Sequence, residues 1–63
     1  MKNLIRERRK QLGLTQENLE HLSGIPRSTI ANLESDQGRL PNVEVAILLA
    51  RALKVTVEEL FIV

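Results

Sequence analysis

The stretch Thr15-Gln16-Glu17-Asn18-Leu19-Glu20-His21-Leu22-Ser23-Gly24-Ile25-Pro26-Arg27-Ser28-Thr29-Ile30-Ala31-Asn32-Leu33-Glu34-Ser35 decides the fold. Thr15 is a natural helix cap, and Glu17 in the turn after it suits the positive end of the helix dipole. Leu19 and Leu22 read as the inward residues of this segment, and Gly24 ends it with a left-handed stop. Pro26 fits the first turn of another helix, where a missing N–H is no loss. That helix is predicted to run to about Ser35, with Ile30 and Leu33 as its apolar pair. Only Ser23-Gly24-Ile25 separates the two. A connection that short, with a glycine in it, makes the helices cross steeply.

Upstream, the spacing of Leu4, Ile5 and Leu12 predicts a first helix over 3–12, with Arg6, Glu7 and Lys10 away from its apolar stripe. Gly13 stops it. Downstream, residues 35–41 form the longest polar break and read as a loop. Asn42 can cap a fourth helix over 43–53, which is apolar on nearly every side and therefore central. Its inward stripe is expected to be Val43, Ala46, Ile47, Ala50 and Leu53. Thr56-Val57-Glu58-Glu59 has the spacing of a capping box, with Val55 placed to staple against Leu60. A last short helix is predicted over 57–61. β-Branched residues are scattered and never alternate, so helix is expected throughout. The reading is a compact all-α single domain over residues 1–63, built from five short helices.

Composition narrows the function. A chain of 63 residues buries only about 60% of the surface its unfolded form exposes, so it needs extra support. With no cysteine there are no disulfides and no thiol chemistry, and a single histidine cannot hold a metal alone. Close helix packing or self-association must stabilise it. No cofactor or small-molecule ligand is indicated. No apolar run approaches about 18 residues and no signal peptide opens the chain, so a soluble, cytoplasmic protein with no membrane partner is expected. Phe61 is the only aromatic residue, which argues against base stacking and leaves RNA a distant third among ligands. No nucleophile, base and orienting group can be assembled, and the pair Glu58-Glu59 is explained by capping, so no enzyme activity is expected. His21, opposite Leu19 and Leu22, reads as a surface side chain.

Net charge is only +1, but it is unevenly spread. Residues 1–39 carry seven Lys/Arg against five Asp/Glu, and residues 40–63 two against three. The positive charge thus accompanies the steeply crossed pair at about 15–35. That pair has helix-turn-helix geometry, in which the second helix lies in the DNA major groove and its N-terminal residues meet base edges. Ser28, Asn32 and Ser35, at i, i+4 and i+7, share the face opposite Ile30 and Leu33, and Arg27 leads it. Arginine suits guanine O6 and N7, and asparagine suits adenine N6 and N7. The plain alternative is a solvated helix face.

Leu14-Thr15-Gln16, Leu19, Gly24, the run from Ile25 to Ile30, Leu33-Glu34, Pro41 and Ala52-Leu53 together resemble the Cro/C1-type helix-turn-helix family of phage repressors and bacterial regulators. The resemblance covers almost the whole chain. It implies a five-helix, lambda-repressor-like DNA-binding domain that regulates transcription, as a repressor, by binding a palindromic double-stranded operator as a homodimer. By the same resemblance Arg27, Ser28 and Asn32 fall where the family reads bases. Thr15, Gln16, Ser35 and Arg39 fall at or near its phosphate contacts, although Thr15 can be only a cap and Arg39 only a solvated loop charge. Helical angles place Arg9 and Glu34 beside the core, and similar family members pair an arginine and a glutamate at these positions.

Three residues depart from the family pattern. Glu20 stands where a small residue is usual, so its side chain must swing outward or find a partner. Lys54 stands at a glycine stop position, where a left-handed lysine costs about 1 kcal/mol. Arg8 replaces an apolar residue and is expected to run along the core edge.

Apolar surface suggests a partner. Val45, Leu48 and Ala52 lie away from the expected inward stripe of the fourth helix, and the chain ends Phe61-Ile62-Val63. Either the small globule buries these residues, or Val45, Leu48, Ile62 and Val63 form a homodimer surface that brings in a second DNA half-site about 34 Å away. The alternative function is a protein-interaction module, such as an antitoxin that neutralises a partner protein.

Overall fold

Three of the five helix starts among the described residues are set by short polar side chains. The computed structural model describes residues 2–36 and 41–62. Along the chain run β1 (Lys2–Asn3), α1 (Ile5–Gln11), α2 (Gln16–Ser23), α3 (Arg27–Ser35), α4 (Val43–Ala52), α5 (Val57–Leu60) and β2 (Phe61–Ile62). Thr15 Oγ1 accepts the Asn18 N–H at 3.0 Å while Asn18 Oδ1 accepts the Thr15 N–H at 3.0 Å, a reciprocal capping box. Thr56 and Glu59 make the same pair of bonds at α5, and Asn42 Oδ1 accepts the Val45 N–H at 2.8 Å to start α4.

Helix ends follow an equally local rule. Past α1, Gly13 sits at φ 72° and lets the Leu14 N–H reach back to the Arg9 carbonyl at 3.0 Å. Past α4, Lys54 takes the same left-handed backbone at φ 61°, and the Val55 N–H reaches the Ala50 carbonyl at 3.0 Å. The glycine-like stop expected at Lys54 is therefore formed by lysine, with the backbone strain that a Cβ brings. Arg8 runs along the core edge as expected, and its Nε donates to the Leu53 carbonyl at 2.9 Å, closing the end of α4.

The core is Ile5, Leu19, Ile25, Ile30, Leu33, Ala46, Leu49, Ala50, Leu53, Leu60 and Phe61, drawn from every helix. α2 packs against both α3 and α4, and α1 rests on α3. Four sequence expectations are corrected here. The first helix begins at Ile5 rather than residue 3, because Lys2–Asn3 is extended and pairs antiparallel with Phe61–Ile62. The last helix accordingly ends at Leu60. Leu22 is 61% exposed, and the small Ser23 takes the inward position at the turn. On α4, Val43 (75% exposed) and Ile47 (38%) face outward, while Leu49 joins Ala46, Ala50 and Leu53 inside. A helix apolar all round gives periodicity no contrast to read, so packing against α2 selects the buried arc.

Candidate nucleic-acid interface

α3 has two opposite faces. Ile30, Leu33 and Glu34 are buried, whereas Arg27, Ser28, Asn32 and Ser35 are all exposed. The four polar residues singled out from the sequence thus lie on the open side of one helix. Ser35 Oγ donates to the Asn32 carbonyl at 3.3 Å, a bond within the helix that leaves the Asn32 side chain clear.

The turn that aims α3 is held by hydrogen bonds to a serine. Ser23 Oγ donates to the Leu19 carbonyl at 2.7 Å and accepts the Ile25 N–H at 3.1 Å, while Gly24 adopts φ 77°. Gly24 has open space where a Cβ would stand, so what excludes other residues is the backbone angle. Further along α3, Glu34 is the hub of a polar cluster. Arg9 Nε and Nη2 donate to its two oxygens at 2.8 and 3.0 Å, a bidentate pair between largely buried groups. The third Arg9 nitrogen used, Nη1, donates to the Leu14 carbonyl at 2.9 Å. Hydrogen bonding to Glu34 holds the Arg9 guanidinium above its ordinary value against the opposing effect of burial, so it stays charged. The ion pair expected at Arg9 and Glu34 is present, and it ties α1 to α3.

Two further partners crowd the same carboxylate. Gln16 Nε2 donates to Glu34 Oε1 at 3.3 Å, and the mostly exposed Arg6 lies 3.9 Å from that oxygen. Gln16 therefore starts α2 with its side chain turned towards α3. Thr15 beside it accepts the Asn18 N–H and keeps its hydroxyl proton available to an outside acceptor. Shallow polar depressions join Thr15 and Gln16 to Arg27, and Gln16 and Glu20 to Arg27 and Ser28. The N-terminal ends of α2 and α3 consequently share one surface. Arg39 and Val63 lie outside the described residues. Of the apolar residues considered for a dimer, Val45 and Leu48 are half-buried against the core, and Ile62 is 46% exposed.

Two further anchors hold this surface: Asn3, which sequence reasoning missed, and Glu20, whose need for a partner it saw without finding the partner. Asn3 is fully buried, and its Nδ2 donates to the Leu33 carbonyl at 2.8 Å near the end of α3. Its Oδ1 accepts the Ile5 N–H at 3.3 Å, and that local bond is the only part a sequence signal could suggest. At the other end, Glu20 Oε2 accepts the Arg27 N–H at 3.2 Å. Pro26 offers α3 no side-chain cap, and that deficiency was the available signal that a partner from elsewhere is required. His21 is exposed as expected.

The helix-turn-helix family matches residues 5–60. The chain is 48% identical over 64 residues to an uncharacterized HTH-type transcriptional regulator of Methanothermobacter thermautotrophicus, covering 98% of this chain and 90% of that protein. It is 39% identical over 62 residues to another from Archaeoglobus fulgidus, covering 98% and 87%. Among solved structures, it is similar to the restriction-modification controller protein C.AhdI from Aeromonas hydrophila, with a TM-score of 0.81 and 40% identity over 90% of this chain and 85% of that one. These relatives come from archaea and a bacterium, a broader range than the phage repressors and bacterial regulators of the resemblance.

Proposed function

We propose, from the premise that this chain belongs to the Cro/C1-type helix-turn-helix family, how it acts as a DNA-binding transcriptional regulator. α3 enters the major groove, with Arg27, Ser28 and Asn32 on base edges. The observation that carries this is the division of α3 into a buried face and an open face presenting those three side chains together. Thr15, Gln16 and Ser35, with Arg39, contact phosphates on either side and fix the register of α3. The protein represses by occupying a palindromic operator as a homodimer, in the cytoplasm. Among the described residues no helix is long and apolar enough to cross a membrane.

Support for self-association is exposed apolar surface. Ile62 from the original set stays open, and Val43 and Ile47, one turn apart on α4, add to it. Val45 and Leu48 already pack on the core and leave less surface for a partner.

Selection of bound sequences from a random DNA pool tests the reading, and a palindromic consensus is the expected result. Arg27→Ala should then relax preference at one base pair, by about 1–3 kcal/mol of discrimination. Arg39→Ala should weaken all sequences alike and flatten the salt dependence. Unchanged selectivity after substituting both Arg27 and Asn32 would transfer the assignment to a protein-interaction module. Sedimentation equilibrium addresses the dimer: a monomer at high micromolar concentration, with and without operator, removes it.

A further inference from the structure

Glu20 belongs to α2, yet its carboxylate lies at the leading end of α3. Oε2 accepts the Arg27 N–H at 3.2 Å, across a separation of seven residues. Pro26, the residue in the cap position, makes no side-chain bond to the helix it opens. Glu20 is half-buried and lines the same depression as Pro26, Arg27, Ser28 and Ala31, so its carboxylate borders the edge that carries the exposed Arg27 and Ser28.

Two physical consequences follow. The N–H groups and dipole at a helix start attract anions, a phosphate included. With Glu20 already on the Arg27 N–H, that attraction is satisfied internally and a phosphate is repelled from the first turn of α3. The second consequence concerns the other oxygen. Among the described residues Oε1 has no hydrogen bond or ion pair. An ionised carboxylate only accepts, so in the major groove it matches an exocyclic amine and opposes the acceptor atoms of guanine and thymine. Cytosine N4 is the partner best suited to it.

We propose that Glu20 is a specificity-determining residue of this surface: one carboxylate oxygen caps α3 and the other selects a cytosine beside the base read by Arg27. The proposal rests on the DNA-binding reading above and adds to it a residue of α2, outside the base-reading set of α3.

The test compares consensus sequences selected from a random DNA pool by the wild-type protein, Glu20→Gln and Glu20→Ala, with thermal melting of each. Glutamine keeps an oxygen for the Arg27 N–H but turns an amide NH2 outward. Glu20→Gln should therefore stay folded, lose cytosine preference at one position by about 5- to 150-fold, and favour a base with an acceptor there. Glu20→Ala should lose the preference without replacing it and should melt earlier. A role in capping alone would lower the melting temperature of Glu20→Ala and move no base preference. If the wild type selects a consensus that both variants reproduce at every position, the proposal falls while the DNA-binding reading stands. If the wild type selects no consensus, the reading itself falls and takes the proposal with it. Should Glu20→Ala not fold, Glu20→Gln decides the matter alone.

Discussion

α5 and α3 are both short helices on the same small core, but they are anchored in opposite ways. α5 begins on Thr56 and Glu59, which cap one another within a single turn. α3 begins on Pro26 without a side-chain cap and is fixed by residues from three other segments. Glu20 of α2 holds its first N–H, Arg9 of α1 holds Glu34, and Asn3 of β1 holds the Leu33 carbonyl. The helix that carries the candidate base-reading residues is thus positioned by the rest of the fold rather than by a cap of its own. Local capping fixes where a helix starts but not where it points. Three tethers from separate elements fix orientation as well, which is what a surface matched to a rigid groove requires.

The most severe challenge to this contrast is Arg9→Ala. It leaves Glu34 buried without its bidentate partner, and a cost of about 3–5 kcal/mol is expected in urea unfolding. A loss below about 1 kcal/mol would mean that Gln16 and Arg6 hold Glu34 as well as Arg9 does, and that α1 does not anchor α3. Next comes Asn3→Ala, which strips the Leu33 carbonyl of a buried donor and should cost about 1–3 kcal/mol. Hydrogen exchange sharpens the point, since protection should fall at the end of α3 before it falls in α4.

Thr56→Ala probes the local side of the contrast and should cost about 1 kcal/mol, with base selectivity unchanged. A change of selectivity in this variant would show that α5 reaches the proposed DNA-facing surface through the core. The smallest effect is electrostatic. Bonds from the Thr56 backbone N–H and then its side chain hold the exposed Glu59 carboxyl below its ordinary value. A depressed carboxyl contributes stability above its unfolded pKa and loses it as pH falls through the folded one. The wild-type melting temperature should therefore drop slightly as pH falls from about 5 towards 3, and Glu59→Gln should flatten that part of the curve. An identical slope in the two proteins would place the acid sensitivity elsewhere.

Much of this architecture is carried by signals only a few residues long. Thr15, Asn42 and Thr56 cap the helices they precede, Gly13 and Gly24 take the left-handed backbone, and the three residues Ser23-Gly24-Ile25 force the turn. The exposed face of α3 follows from the positions of Ile30 and Leu33 alone, because a helix with two core residues has only one way to turn its polar side outward. Arg9 and Glu34 could be placed beside the core by helical angles, and the family resemblance joined them.

What the sequence by itself determined, then, is the existence and order of the five helices, the caps and stops between them, and which side chains of α3 face solvent, though not the outer limits of the first and last helices. Only the tertiary structure decided which arc of α4 is buried, and that Leu22 stays out while Ser23 goes in. It alone brought Lys2–Asn3 against Phe61–Ile62, Asn3 beneath α3, Gln16 onto Glu34, and Glu20 onto the start of the helix beyond the turn. The physical reason is range. A cap, a stop or an apolar stripe is enforced by neighbours within about one helical turn, whereas a buried polar group takes whatever partner the packed core brings to it.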